Sequence, residues 1–194
     1  MSDDKRQHFI ERCYAQSERL CKLLKDMAQL SRLDDIPASP THKKTPKRLC
    51  DLVPVVRKVI DDTAPQLKQK GIEPVLNLPD EIIVSSPLDE PEDAFYGVFL
   101  NLVDNAVAYA AGATFLRISF INGEFTVSDN GAGVPPEHLP FLFERFYRVD
   151  KGRSRKLGGT GLGLAIVKNT VAVHSGTISA SETPGGGLTV KFSM

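Results

Sequence analysis

Three closely spaced prolines divide this chain into two parts. Pro37, Pro40 and Pro46 all fall within residues 34–48. Proline lacks a backbone N–H and fixes φ, so this stretch cannot hold regular hydrogen-bonded structure and is typical of a linker. We therefore predict a helical segment over residues 1–33, a linker over 34–48, and a larger domain over 49–194.

The segment before the linker has the pattern of one amphipathic helix over about residues 8–33. Its stripe recurs at alternating spacings of three and four, the helical period, and comprises Ile10, Cys13, Ser17, Leu20, Leu24, Met27 and Leu30. A lone helix of this length is marginal in water unless that face packs on something. Two partners are open at this point: the helix folds back onto its own domain, or it forms half of an intersubunit bundle.

The larger domain alternates between helical and strand patterns. Helices are predicted over about 52–70, 92–111 and 162–174, and strands over 72–78, 82–85, 115–121, 124–128, 177–182 and 188–192. Asn122-Gly123 lies between two of these strands and favours a type I′ hairpin turn, because both residues must take positive φ. The economical arrangement is an α+β fold: a two-layer α/β sandwich of three helices on a mixed, mainly antiparallel sheet of about five strands.

Charge and composition exclude several classes of protein. The 24 basic and 24 acidic side chains give a formal net charge of zero, so no global field attracts nucleic acid or an anionic membrane. Three cysteines are too few for a disulfide framework, which favours a reducing compartment. No apolar run approaches the roughly 18 residues of a membrane span. We expect a cytoplasmic polypeptide with no nucleic-acid partner.

Two asparagines form the first candidate site. Asn101 and Asn105 are four residues apart, which places both amides on one face of the predicted helix. Asparagine is a poor interior helix former, so the pair calls for a reason. Amide oxygens suit Mg²⁺, which usually reaches protein sites together with phosphate oxygens. The alternative is two solvent-facing or capping amides.

An acidic residue and two glycines form the second candidate site. Asp129 ends a predicted strand and begins the sequence Asp-Asn-Gly-Ala-Gly, which ends at Gly133. The carboxylate could accept a hydrogen bond from an exocyclic amine, and the glycines would let another molecule approach the backbone. Such sequences are also ordinary turn formers, so a simple turn remains open.

A glycine-rich helix start forms the third candidate site. The sequence Gly-Gly-Thr-Gly-Leu-Gly over 158–163 would present unpaired amides and the positive helix end to phosphate. It is neither a Walker A loop nor a dinucleotide fingerprint, because no Gly-Lys-Ser/Thr follows and Ile166 stands where a third glycine would be. A positive cluster precedes it: Arg145, Arg148, Lys151, Arg153, Arg155 and Lys156. Such loops are commonly only solvated, but beside a phosphate site this one is suited to closing over a triphosphate.

In this order, the motifs resemble the catalytic, ATP-binding domain of sensor histidine kinases. These belong to a wider ATPase superfamily that includes type II topoisomerases, heat-shock chaperones and mismatch-repair ATPases. Residues 101–109 resemble the family's N box, 129–133 its first glycine box, 143–148 its F box and 159–168 its second glycine box. The resemblance runs from about residue 49 to the C-terminus. It implies ATP and Mg²⁺ as cofactors, a histidine as phosphoryl acceptor, and a response regulator receiver domain as partner.

The resemblance also implies a role for each matching residue. Asn105 would be the Mg²⁺ ligand with Asn101 beside it, Asp129 would bond the adenine amino group, and Tyr109 would stack near the base. Arg145 and Arg148 would contact the triphosphate, Arg148 being the preferred candidate. The other residues that the resemblance places against the nucleotide are Gly131, Gly133, Gly159, Thr160, Gly161, Leu162 and Gly163.

The N-terminal helix fits the same family. Residues 18–33 resemble the second helix of the dimerisation and phosphotransfer hairpin. None of the four histidines, His8, His42, His138 and His174, lies in the Ser/Thr-His-Glu/Asp context of the acceptor on the first helix. We therefore expect this chain not to autophosphorylate by itself, the full-length protein to form a homodimer through the bundle, and any membrane contact to come from segments outside this chain.

One position inside the N box departs from the family. Ala108 stands where the family usually has a lysine or arginine that reaches the phosphates. Losing such a charge-assisted contact costs about 1.5–3 kcal/mol unless another cation replaces it, and Lys156 or Arg153 could do so. Ala108 therefore keeps one alternative function open, a degenerate, ATP-gated regulatory module. A serine kinase of the anti-sigma-factor type, which shares the ATP site, is a second alternative, and the bundle-like N-terminal helix argues against it.

Overall fold

The computed structural model describes residues 3–36, 48–149 and 159–194, with side chains from residue 6 onward. Most of the predicted linker, 37–47, lies outside the described residues. So does the segment 150–158, which includes four members of the predicted positive cluster: Lys151, Arg153, Arg155 and Lys156.

The described part of the chain contains four α-helices, seven strands and a short 3₁₀ helix. Their bounds are α1 (Asp3–Asp34), β1 (Arg48–Asp51), α2 (Leu52–Lys70), β2 (Glu73–Asn77), β3 (Ile83–Ser86), α3 (Pro91–Tyr109), β4 (Phe115–Ile121), β5 (Glu124–Asp129), the 3₁₀ helix (Pro136–Phe141), α4 (Gly163–Val173), β6 (Ile178–Glu182) and β7 (Leu188–Ser193). Five strands form one sheet in the order β2-β4-β5-β7-β6, in which β2 and β4 are parallel and the other neighbours antiparallel. The predicted α+β fold with a mixed, mainly antiparallel sheet is confirmed.

Local chemistry explains where α2 begins and ends. The Asp51 side chain accepts a hydrogen bond from the Val53 amide at 3.1 Å and so caps the first turn. Gly71 ends the helix in the left-handed region at φ 69°, with its amide donating to the last carbonyls. The same Asp51 carboxylate accepts from the Ile82 amide at 3.0 Å, which ties the helix start to the strand region beyond it.

Sequence reasoning missed strand β1. Its four residues pair antiparallel with β3, with Cys50 opposite Val84. The strand is too short to show a period-2 pattern, and it directly follows the proline-rich segment, which hid it. By contrast, the predicted hairpin between β4 and β5 is confirmed, because Asn122 and Gly123 take φ values of 53° and 82°.

The main core contains a group of packed aromatic rings from α3 and the sheet. Phe99 of α3 packs edge-on against Phe125 of β5 at 5.1 Å between ring centroids, and Phe125 stacks on Phe192 of β7 at 5.2 Å. All three rings are fully buried. This packing fixes α3 over the centre of the sheet, so the polar side chains near the end of α3 are held beside the end of β5.

Helix α1 packs on its own domain through its C-terminal end. Leu30 and Leu33 form a second core cluster with three residues around the start of α4, namely Leu162, Ala165 and Ile166. The stripe predicted from periodicity behaves differently: apart from Leu30, its large members stay exposed, from Met27 at 47% to Leu24 at 66%. In the described part of the chain, no helix is long and apolar enough to cross a bilayer.

Candidate functional site

A cleft of about 520 Å³ opens between the C-terminal half of α3 and the start of α4. A cavity of about 30 Å³ adjoins it and shares Asn105, Leu164 and Leu188 as walls. Most of the predicted site residues line the cleft, namely Asn101, Asn105, Tyr109, Arg148, Gly159, Thr160, Gly161 and Gly163. Asp129 lines the small cavity, whereas Arg145, Gly131, Gly133 and Leu162 line neither.

Asp129 is a buried carboxylate at the end of β5, only 6% exposed. Its Oδ1 atom accepts hydrogen bonds from the amides of Gly131 at 2.8 Å and Leu188 at 3.4 Å. Burial raises the pKa of this carboxyl, and the two backbone hydrogen bonds only partly oppose that shift. Both bonds end on Oδ1, so Oδ2 takes part in neither of these two backbone contacts.

The turn after Asp129 is fixed by backbone contacts. Asn130 accepts hydrogen bonds through Oδ1 from the Thr114 and Phe115 amides at 2.9 and 3.1 Å, which joins the turn to the start of β4. A Cβ at Gly131 would lie 2.7 Å from the backbone of Ala110. Gly133 takes φ 69° and lies against Gly187. These two glycines are therefore required by neighbouring protein backbone, in addition to any ligand.

Gly187 is a site residue that sequence reasoning missed. It is buried, takes φ 107°, and leaves no room for a side chain because a Cβ would overlap the Asp129 carbonyl oxygen. In the sequence, Gly187 ends the segment Pro-Gly-Gly-Gly over 184–187, which lies between two predicted strands and is typical of a hairpin turn. The available signal was the run of three consecutive glycines, which exceeds what a tight turn requires.

The two asparagines of α3 differ in whether their side-chain amides already have hydrogen-bond partners. The Asn101 Nδ2 atom donates to the Gly97 carbonyl at 2.8 Å, and its Oδ1 lies against Gly163, where a Cβ would be only 2.6 Å away. The Asn105 Nδ2 atom is buried with no hydrogen-bond partner in the described part of the chain. Asn105 therefore retains unused hydrogen-bonding capacity, which buried polar groups seldom do without a ligand or water.

The start of α4 meets both the F-box segment and α1. The Thr160 hydroxyl donates to Asp26 of α1 at 2.8 Å and accepts from the Leu162 amide at 3.3 Å. Gly161 takes φ 74°, and its carbonyl accepts from the Phe146 amide at 2.8 Å. The Leu162 amide thus has an internal partner, whereas Gly163 begins the helix at the cleft wall with the positive end of the helix dipole.

The two arginines predicted to contact the triphosphate have different surroundings. Arg148 lines the cleft, and its Nε and Nη2 atoms are buried without a hydrogen-bond partner among the described residues. The Arg145 Nη2 atom donates to both oxygens of Asp34 in α1, at 2.6 and 2.8 Å. Arg145 is therefore engaged by the N-terminal helix, and Arg148 is the arginine available to a ligand in the cleft.

Two further charged residues of the cleft were not predicted. Lys22 of α1 and Asp104 of α3 both line it, and the Lys22 Nζ atom lies 3.3 Å from the Asp104 Oδ2 atom. No local signal could have found Lys22, because its place depends on how α1 docks. Around the cleft and elsewhere in residues 6–36, 48–149 and 159–194, no cluster of three or more His, Cys, Asp or Glu side chains could hold a metal ion.

Comparison with known proteins decides the family. Residues 90–194 match the family described as histidine kinase-, DNA gyrase B- and HSP90-like ATPases. This chain belongs to that ATPase family. The match includes the asparagine pair, Asp129 and both glycine-rich motifs, so the family predicted from the sequence is confirmed.

The relatives of this ATPase domain include sensor histidine kinases. It is 34% identical over 187 residues to the sensor histidine kinase WalK of Bacillus subtilis, covering 92% of this chain and 29% of WalK. It is also 34% identical over 191 residues to the sensor-like histidine kinase SenX3 of Mycolicibacterium smegmatis, covering 96% of this chain and 47% of SenX3. The chain therefore spans less than half the length of these relatives.

Solved structures agree with the fold. Full-length ShkA in complex with AMPPNP superposes with a TM-score of 0.69 at 26% identity, covering 99% of this chain and 39% of ShkA. The histidine kinase AdeS of Acinetobacter baumannii superposes with a TM-score of 0.68 at 26% identity, covering 95% of this chain and 83% of AdeS. Both similarities extend over nearly the whole chain, including α1.

Proposed function

We propose that this chain is the ATP-binding, catalytic part of a sensor histidine kinase. It binds ATP with Mg²⁺ and donates the γ-phosphoryl group to a histidine that the chain does not itself supply, for onward transfer to an aspartate of a response regulator receiver domain. The observation that carries the proposal is the pairing of a buried acceptor, Asp129, with a cleft that holds the unpartnered buried donors of Asn105 and Arg148.

Asp129 supports adenine as the base. The buried Asp129 carboxylate, whose Oδ2 atom takes neither of the two backbone hydrogen bonds, matches the exocyclic amino group of adenine, a donor. Guanine presents a carbonyl at the corresponding position, so it would set an acceptor against an acceptor and leave both unsatisfied. Tyr109 is 38% exposed at the end of α3 and lines the cleft, where it can cover a base.

The unpartnered donors of Asn105 and Arg148 support binding of the phosphate groups in the cleft between α3 and α4. The Arg148 guanidinium, the Asn105 amide N–H and the start of α4 all favour anionic oxygens. Mg²⁺, when bound, would neutralise charge on the phosphates, held by the Asn105 amide oxygen, with water and phosphate oxygens as its other ligands. The chain's own task in phosphoryl transfer is then to position the triphosphate and stabilise its charge.

The surroundings of the domain in the whole protein are also part of the proposal. The exposed stripe of α1, which includes Leu20 and Leu24, supports a homodimer formed through a helical bundle in the full-length protein. The three free cysteines support a reducing, cytoplasmic location for this part. Any membrane contact would come from segments outside this chain.

Calorimetric titration with AMPPNP and Mg²⁺ tests nucleotide binding. We expect micromolar binding to the wild-type chain and no measurable binding to Asp129→Asn, because the amide would present a donor to the adenine amino group. Asp80→Asn, which changes an exposed carboxylate away from the cleft, is the matched control. Undiminished binding by the Asp129→Asn variant would show that the base is recognised elsewhere.

Incubation with γ-labelled ATP and a separately produced helical bundle carrying an acceptor histidine tests phosphoryl transfer. We expect acid-labile label on the bundle and none on this chain alone. Ala108 favours a second candidate, an ATP-gated regulatory module, because it removes one phosphate contact. Tight AMPPNP binding without label on any bundle would support that second candidate.

A further inference from the structure

We infer that Lys22 of α1 supplies the cationic phosphate contact that Ala108 does not provide. The N-terminal helix then contributes a binding residue to the nucleotide site, as well as packing beside it. This inference rests on the proposed function, because it concerns the phosphate-binding part of the same cleft.

Lys22 lies on the correct wall of the cleft. It lines the cleft together with Asp104 and Ala108, and its Nζ atom is 3.3 Å from the Asp104 Oδ2 atom. Asp104 and Ala108 are four residues apart on α3, so their side chains share one face of that helix. The Lys22 ammonium therefore lies over the same face of α3 from which a lysine at position 108 would project.

Lys22 offsets negative charge in the cleft. Asp104 places a carboxylate in a cleft proposed to bind a triphosphate, and the two anions would repel each other. Among the described residues that line the cleft, Lys22 and Arg148 are the cations. Lysine carries three N–H donors on a flexible stem, so one ammonium can keep its pair with Asp104 and also reach a phosphate oxygen.

The docking of α1 holds Lys22 in place. One turn further along the helix, Asp26 accepts a hydrogen bond from the Thr160 hydroxyl at 2.8 Å. Leu30 and Leu33 are buried beside the start of α4, and Asp34 at the helix end binds Arg145. Lys22 is thus the part of a multiply anchored helix that reaches the cleft, and nucleotide affinity becomes thermodynamically linked to the docking of α1.

Calorimetric titration of the whole chain with AMPPNP and with adenosine tests this inference. Lys22→Ala is expected to weaken AMPPNP binding about fivefold, in line with a partly exposed charge contact, and to leave adenosine binding unchanged. Lys25→Ala, which changes an exposed lysine of the same helix outside the cleft, is the matched control and should bind both ligands normally.

A second variant separates a phosphate contact from a merely structural role. Ala108→Lys restores the cation within α3, so Lys22→Ala should cost much less affinity for AMPPNP in that background. Lys22→Arg should retain most of the wild-type affinity. A loosened helix would instead weaken adenosine and AMPPNP equally and would not be rescued by Ala108→Lys, and that result would overturn the inference.

The remaining outcomes distinguish this inference from the proposed function. AMPPNP binding that depends on Asp129 but not on Lys22 overturns the inference alone. No binding of AMPPNP to the wild-type chain overturns the proposed function and this inference together.

Discussion

The two ends of the candidate nucleotide site differ in how their polar groups are held. At the base end, Asp129 is held by backbone amides, its turn is joined to β4 by Asn130, and Gly131, Gly133 and Gly187 lie close against neighbouring backbone. At the phosphate end, which is the cleft between α3 and the start of α4, the polar groups belong to side chains from three separate elements. Lys22, Asn105 and Arg148 come from α1, α3 and the segment before α4, and the last two have buried nitrogen atoms without partners.

Because of this difference, we expect substitutions at the two ends to affect different quantities, namely the stability of the fold and the affinity for a ligand. The base end is part of the packed domain, so it is formed before any ligand binds, and a side chain added at its closely packed glycines disturbs the fold. The phosphate end has donors that a phosphate group would satisfy, so changes there should weaken binding and leave the empty protein as stable or more stable. Four experiments test whether the two ends differ in this way.

The largest effect is expected at Gly187. Gly187→Ala forces a side chain onto the Asp129 carbonyl at a positive φ, so we expect the free energy of unfolding to fall by about 3 kcal/mol. Gly185→Ala is the control: it has a similar φ of 91° but nothing within 4 Å of an added Cβ, and should cost about 1 kcal/mol. Urea denaturation measures both, and equal losses would mean that the base end is not tightly packed.

At Arg148, we expect a substitution to lower the affinity for AMPPNP without lowering the stability of the fold. Arg148→Ala should weaken AMPPNP binding at least tenfold, because a charged donor to phosphate is lost, while the melting temperature of the empty protein does not fall. Arg57→Ala on the exposed surface of α2 is the control. Arg145→Ala should weaken binding less than Arg148→Ala, since Asp34 engages Arg145; the reverse order would contradict the arrangement described above.

A smaller effect concerns the stability cost of Asp129. Burial raises its pKa in the folded state above the usual 3.8, so the folded protein holds this proton more tightly than the unfolded chain. The folded state therefore loses stability as pH rises from the unfolded pKa through the folded pKa. Asp129→Asn removes this loss, and its melting temperature at pH 7 should equal or exceed that of the wild type. A clearly lower melting temperature would show that the carboxylate stabilises the fold.

The smallest effect is expected at His174, at the far end of α4 from the cleft. Burial lowers its pKa below the usual 6.5, and its ring bonds the Thr170 carbonyl at 2.7 Å and the Ser86 hydroxyl at 2.8 Å. The folded state resists protonation here, so stability is lost as pH falls below about 6.5. His174→Gln should flatten that loss without changing AMPPNP affinity, while His8→Gln, on an exposed part of α1, should change neither.

Short-range chemistry made much of the fold predictable. The Asn122-Gly123 turn, the Gly71 helix stop and the alternation of strand patterns each depend on residues adjacent in sequence, and the structure has all three. The order of the four motifs identified the ATPase family for the same reason, because each motif is a contiguous stretch. Of the two packed residues of α1, Leu30 belongs to the predicted apolar stripe and Leu33 does not, because Leu33 is buried only where α4 lies against it.

Residue type and local spacing were enough to predict the α+β class, the hairpin between β4 and β5, and the candidate groups Asn105, Asp129 and Arg148. Three contacts became visible only in the folded chain: Arg145 binds Asp34, Gly187 packs against Asp129, and Lys22 reaches the cleft. Each of these contacts joins residues more than fifty positions apart. Such contacts depend on how whole helices and strands pack, which no local pattern of residues encodes.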